Sequence, residues 1–148
     1  MSVRRVSIMG STGSIGQSAL DVMRHANSNT SEDFQIVALA AGSDAQALAA
    51  QAVEFKAEIA VIADESKLPE LRACLADTGV EAAAGEAAIQ EAAARPVDRV
   101  LAAIVGAAGL KSTIAAVRAG NHVAIANKES VVCGGKLILD EARRKGVN

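Results

Sequence analysis

Apolar residues recur along this chain in blocks whose period switches between strand-like and helix-like. Val6, Ile8 and Met9 close a short apolar run that reads as the end of a buried strand, stopped at Gly10. Ile15, Ala19, Val22, Met23 and Ala26 then return at helical spacing and predict an amphipathic helix with those residues facing inward. Polar residues 27–31 predict a loop, residues 35–41 a second strand, and residues 59–63 a third, short buried one. Between these two strands Asp44 is placed to cap a helix carrying Leu48, Ala52 and Phe55 on one face. Leu68, Leu71, Cys74 and Leu75 mark the next helix. Pro69 falls in its first turn, where no N–H partner is lost, and Gly79 falls just past its end. An alanine-rich strand over 80–84 precedes a helix over 86–94 that Pro96 stops. Residues 100–105 form a strong strand pattern, 106–109 a glycine loop, and 110–119 a helix closed by Gly120. A strand over 122–126, a polar turn over 127–130 and a helix over 135–145 complete the chain.

Strands alternating with helices at this rhythm predict an α/β fold: a doubly wound, mostly parallel, Rossmann-like sheet in a single domain. At 148 residues the chain suffices for one hydrophobic core, and it shows neither an internal repeat nor a low-complexity linker. Hydrophobic residues make up 51% and charged residues 22%, which places the chain among globular proteins and not disordered ones. The net charge of −2 carries no basic surface for nucleic acid and no polybasic segment for a membrane. Aromatic residues amount to Phe34 and Phe55, too few for base stacking. Two cysteines, Cys74 and Cys133, make no disulfide framework and fit a reducing cytoplasm. The apolar stretch behind Arg4 and Arg5 breaks at Gly10, so it reads as a strand and not a signal peptide, and no run approaches the length of a membrane helix.

In an open parallel sheet, ligands bind outside the carboxyl ends of the strands. That rule selects residues 10–16, 42–44, 106–109 and 127–130, the glycine-rich or polar loops, as parts of one site. Gly10-Ser11-Thr12-Gly13-Ser14-Ile15-Gly16 is the most informative of them. A strand, a tight glycine turn and a helix start together make an anion site, because the first N–H groups of the helix are unpaired and its positive dipole end faces outward. The three glycines suit an unusual backbone turn, close approach of a ligand, and close helix–strand packing. The spacing is G-x-x-G-x-x-G, where the common dinucleotide fingerprint has G-x-G-x-x-G.

Gly42, Ser43 and Asp44 stand where such folds read the adenosine ribose. NAD enzymes place an acid at the strand end there. Here Ala41 and Gly42 occupy that end, Asp44 comes later as a helix cap, and the loop lacks Arg and Lys, which leans the reading to NADP. Asn127, Lys128 and Glu129 are the densest polar group at a strand end. Lys128 suits an anionic substrate oxygen and its neighbours suit a ribose or amide; a solvated turn explains them equally well. Cys133 reads as a small buried residue more readily than as a nucleophile. His25, near a helix end, reads as structural, and His122 has no ligand-type neighbours. No spacing of His, Cys, Asp and Glu makes a metal site.

The sequence resembles the 1-deoxy-D-xylulose 5-phosphate reductoisomerase family. The resemblance rests on GSTGSIG at 10–16, SALDVMRH at 18–25, VALAAG at 37–42, AAIVGAAGL at 102–110 and ANKES at 126–130, in the family's order and spacing. It implies an NADPH-dependent enzyme of isoprenoid precursor synthesis that uses Mg or Mn, acts on a small phosphosugar, and assembles as a homodimer when full-length. Thr12, Gly13, Ser14 and Ile15 resemble its cofactor-phosphate loop, and Gly42, Ser43 and Asp44 its ribose-phosphate loop. Asn127 and Glu129 resemble cofactor contacts, and Lys128 a lysine that touches substrate. The family often has a basic residue at the position of Ser43 and Asn at that of Asp44, so 2′-phosphate recognition is expected to be weaker here. The family's acidic metal motif and catalytic domain have no counterpart in residues 1–148, so the chain is expected to be the cofactor domain of a longer enzyme, with catalytic and metal-binding residues elsewhere. Two other readings stay open on the residues alone: a semialdehyde-type dehydrogenase using Cys133, and a non-catalytic nucleotide-sensing module.

Overall fold

The computed structural model describes residues 3–126 and 128–148, without the side chains of residues 128–130 and 133. Its strands are β1 (Val3–Met9), β2 (Asp33–Ala41), β3 (Ile59–Ile62), β4 (Glu81–Ala84), β5 (Arg99–Ala102) and β6 (Val123–Ile125). Its helices are α1 (Ser14–Asn29), α2 (Ala45–Glu54), α3 (Leu68–Leu75), α4 (Glu86–Ala94), α5 (Ala107–Arg118) and α6 (Lys128–Lys145). A 3₁₀ turn, Glu65–Lys67, leads into α3. The sheet runs in the order β4-β3-β2-β1-β5-β6, and every pair is parallel. Strand order therefore grows outward from β1 in one direction and then reverses, and the reversal lies between β1 and β5. This is the doubly wound sheet expected from the alternation of elements.

Both sheet faces are covered, which is why residues 36–41 of β2 and all of β3 are apolar and buried without alternation. Val6 and Ile8 of β1, Ala60 and Ile62 of β3 and Leu48 of α2 pack in one core with Leu20 of α1 and Leu71 of α3. Met9, Ile59 and Val61 face the other way, against Ile89 of α4 and Ala116 of α5. Full burial of each such aliphatic side chain contributes roughly 1.5–3 kcal/mol. In β2 the alternation slips: Val6 pairs with Ile36 but Ile8 pairs with Leu39, so β2 carries one extra residue. Ile36 and Leu39 consequently share a face that strict period two would deny them.

Several boundaries differ from the sequence reading. The buried stripe of α1 is Gly16, Leu20 and the half-buried Ala19 and Met23, whereas Ile15 and Val22 are 48% and 67% exposed. The first helix also runs through Asn29, leaving a shorter loop. Cys74 lies on the exposed face of α3. That helix ends at Leu75, and Asp77, at φ +63°, directly follows its C-cap Ala76, while Gly79, also left-handed at φ +80°, lies two residues further on. Strand β5 stops at Ala102, three residues short of the apolar run. Its ladder with β6 runs from Val100 opposite Val123 to Ala102 opposite Ile125, and the Ala126 N–H donates to the Ala102 carbonyl at 2.9 Å just past it. Helix α5 starts at Ala107, inside the expected glycine loop. Residues 128–130, expected in a turn, open α6, which kinks at Gly134 where Leu110 packs closely. Among the described residues no helix is long and apolar enough to cross a membrane.

Candidate functional site

The turn after β1 is anchored from behind. The N–H groups of Gly10 and Ser11 both donate to the Ala40 carbonyl of β2, at 2.8 and 2.9 Å. Gly10 sits at φ +98°, and a side chain there would lie 2.6 Å from the Ala103 carbonyl oxygen in the loop after β5. A side chain at Gly16 would fall on the Gly10 carbonyl and within 2.6 Å of the Ser11 Cα. The first and third glycines thus serve the turn and the packing of α1 on it. Gly13 serves neither. A Cβ added there meets only the Gly10 oxygen, at 3.8 Å, and its backbone is extended at φ −75°. Gly13 is also the N-cap of α1 and supplies no side-chain cap, so the first N–H groups of that helix remain available to an anion.

The start of α2 is built differently. Asp44 caps it as expected, its Oδ1 accepting from the Ala47 N–H at 3.1 Å. Gly42 and Ser43 are exposed beside it, and a Cβ on Gly42 would meet nothing within 4 Å. The Gly42 carbonyl accepts from the Asp64 N–H at 2.9 Å. The Asp64 carboxyl is held below the usual carboxylate range by the Ser66 hydroxyl and backbone N–H. On the far side of the reversal, the N-cap of α5 is Gly106, again without a side-chain cap.

A cleft of about 310 Å³ joins these loops, with Gly10, Thr12, Gly13 and Gly42 on one side and Ala103 and Val105 on the other. The structure therefore brings the loops after β1, β2 and β5 together, as the strand-end rule predicts. A larger groove, of about 620 Å³, opens by Val3, Asp98 and Arg99 at the opposite ends of the strands, away from all of these residues. Asn127 lies outside the described residues, and so do the side chains of Lys128, Glu129 and Cys133; the backbone places Lys128 and Glu129 in the first turn of α6. His25 is exposed on α1, and His122 accepts at Nδ1 from the Asn148 N–H, 2.9 Å away.

The sequence reading missed two groups of residues. Residues 103–105 line the cleft but are apolar and continuous with β5, so nothing in their pattern separates them from a strand. Gln17 and Gln51 hold the glycine turn, donating from Nε2 to the carbonyls of Thr12 (2.5 Å) and Ser11 (3.0 Å). Gln17 could have been found by its place one residue after the motif. Gln51, in the middle of another helix, gives no such signal.

A parallel sheet whose strand order reverses beside a glycine turn and an uncapped helix start defines a Rossmann-like domain of the nucleotide-binding class. A family model described as 1-deoxy-D-xylulose 5-phosphate reductoisomerase matches residues 6–135, and the chain belongs to that family. The reductoisomerase of Rhodopseudomonas palustris (strain BisB18) is 50% identical over 144 residues, covering 97% of this chain and 34% of the relative. A solved reductoisomerase from Zymomonas mobilis, in complex with NADPH, is similar at a TM-score of 0.93 with 44% identity, over 99% of this chain and 38% of that one. Another solved reductoisomerase, in complex with NADPH, fosmidomycin and magnesium, is similar at a TM-score of 0.89 with 35% identity, over 98% of this chain and 35% of that one. The chain spans about a third of the length of the relatives it matches.

Proposed function

We propose that residues 1–148 form the cofactor-binding domain of an NADPH-dependent reductoisomerase that converts 1-deoxy-D-xylulose 5-phosphate to 2-C-methyl-D-erythritol 4-phosphate. The observation that carries this reading is the uncapped start of α1 behind a glycine turn, at the reversal of strand order. Open space at Gly13 fits a group that approaches the backbone closely. Thr12, Gly13, Ser14 and Ile15 would hold the pyrophosphate through their backbone N–H groups. Gly42, Ser43 and Asp44 would meet the adenosine ribose and its 2′-phosphate, and Asn127 and Glu129 would contact the cofactor further along. Lys128 would hold an anionic oxygen of the phosphosugar. NADPH, when bound, supplies the hydride that reduces the aldehyde produced by the rearrangement. Ala41 and Gly42 put no acid at the end of β2, which favours the 2′-phosphorylated cofactor, and Asp44 opposes it, so the preference over NADH should be of order 1–2 kcal/mol.

Among the described residues no group of three His, Cys, Asp or Glu side chains could hold a metal ion, so no step through Mg or Mn is assigned to them. The full-length enzyme would be a cytoplasmic homodimer. Titration calorimetry of this chain with NADPH tests the proposal. Wild type should bind, and Gly13→Val should weaken binding by roughly 100-fold, about 3 kcal/mol, by filling the space the phosphate needs. Equal binding by both proteins would overturn the assignment. The chain alone should not oxidise NADPH when given 1-deoxy-D-xylulose 5-phosphate and Mg, since the rearrangement needs a metal to organise the substrate's oxygens.

A further inference from the structure

Gln51 reaches the glycine turn from a position 40 residues away in sequence, and its effect there is directional. Among the described residues there is no cis peptide bond, and in a trans peptide the C=O and the following N–H point in opposite directions. Holding the Ser11 carbonyl on the Gln51 amide therefore aims the Thr12 N–H away from α2. Gln17 acts in the same way on the next peptide, fixing the Thr12 carbonyl and so the direction of the Gly13 N–H. Among the described residues no acceptor meets either N–H. Thr12 and Gly13 both line the cleft.

The other half of the Gln51 amide argues that this side chain is not simply filling the core. Its Oε1 is buried with no partner among the described residues, and the Ser11 hydroxyl oxygen is in the same condition. A buried acceptor without a donor is unfavourable, so a leucine of similar volume would relieve one unsatisfied atom while leaving the Ser11 carbonyl without its donor. The two effects offset, and the net contribution of Gln51 to folding should be small. Among the described residues no other side chain donates to the Ser11 carbonyl.

We propose that Gln51 is a positioning residue for phosphate binding: it turns the peptide between Ser11 and Thr12 so that its N–H faces a bound pyrophosphate. The inference rests on the reading of the turn as a dinucleotide site. It is tested on the 148-residue chain with wild type, Gln51→Leu and Gln51→Glu, by calorimetry against NADP⁺ and against 2′-AMP, which carries the ribose phosphate but no pyrophosphate. Gln51→Leu should weaken NADP⁺ by about tenfold, leave 2′-AMP within about twofold, and move the thermal midpoint by less than about 3 °C. Gln51→Glu should show the same loss at pH 7.5, where a carboxylate cannot donate. It should recover toward the wild-type value, measured at the same pH, as the pH is lowered to about 4, where a protonated carboxyl can donate. Equal NADP⁺ affinity in wild type and Gln51→Leu would overturn the inference. So would loss of both ligands together with a large fall in the midpoint, which would make Gln51 a packing residue. Failure of wild type to bind NADP⁺ would instead strike the cofactor reading, and this inference with it.

Discussion

Helices α1 and α2 both start at the carboxyl edge of the sheet, and they treat their unpaired N–H groups in opposite ways. The start of α2 is closed by its own Asp44 carboxylate, which accepts from the Ala47 N–H. The start of α1 has no side-chain cap, and the turn before it is secured through Ala40, Gln51 and Gln17 instead. Two of those three contacts bind carbonyl oxygens, so the turn is fixed without occupying the N–H groups of Thr12 and Gly13. An anion arriving at α1 completes the helix, whereas one arriving at α2 meets a carboxylate already in place. Phosphate affinity should therefore concentrate at α1, while α2 adjusts the choice between cofactors by a smaller margin.

The largest effect should come from Gly16→Val, which drives a side chain into the Gly10 carbonyl and the Ser11 backbone. A loss of about 3 kcal/mol or more is expected in urea unfolding, together with cofactor binding. Wild-type stability in that variant would show that α1 does not press on the turn. Gly13→Ala separates folding from binding. It should keep unfolding within about 1 kcal/mol of wild type, since its Cβ meets only one atom at 3.8 Å, yet weaken NADPH about tenfold in calorimetry. At α2, Asp44→Asn keeps a capping oxygen and removes the charge, so the preference for NADPH over NADH should widen by about 1 kcal/mol. An unchanged ratio of the two affinities would mean that the 2′-phosphate does not approach Asp44.

The smallest effect concerns the ion pair that ties the two helices together, between Arg24 of α1 and Glu54 of α2. The Arg24 guanidinium, through its hydrogen bond, holds the Glu54 carboxyl below its ordinary value. A depressed carboxyl pKa adds stability above the unfolded-state value and loses it as pH falls through the folded-state value. Both side chains are more than two-fifths exposed, so solvent screens most of this. Glu54→Gln should lower the calorimetric midpoint by roughly 1–2 °C at pH 7 and leave it unchanged near pH 2.5. A difference that persists in acid would assign the loss to packing on Phe55, over which the Arg24 guanidinium sits at 5.4 Å.

Element types and their order could be read from periodicity, and so could the Asp44 cap and the glycine turn, because each depends on residues close in sequence. What escaped depends on neighbours in space. Ile15 and Val22 fit a helical stripe, but the stripe that turns inward is set by Gly16, which must lie against the turn. Residues 103–105 are apolar enough for a strand, yet they follow the end of β5 and line the cleft. The extra residue of β2 is invisible without its partner β1. Lys128 and Glu129 have the polarity of a turn and belong to a helix, whose first turn tolerates such residues well. Gln51 shows the limit most plainly, since its role exists only once α2 lies beside residue 11.

The pairing of β1 with β5 joins segments more than 90 residues apart, as the bond from the Arg5 N–H to Asp98 shows. The candidate cleft lies over that junction, so it is also a seam between the early and late halves of the chain. Closing such a long loop is slow, and the seam is expected to be the last part of the sheet to form during folding. It is also where the native state should open first under thermal agitation. A dinucleotide lying across the seam would touch both halves at once and act as a clasp. Its binding should then slow proteolysis of the whole domain, and not merely shield the loops it covers.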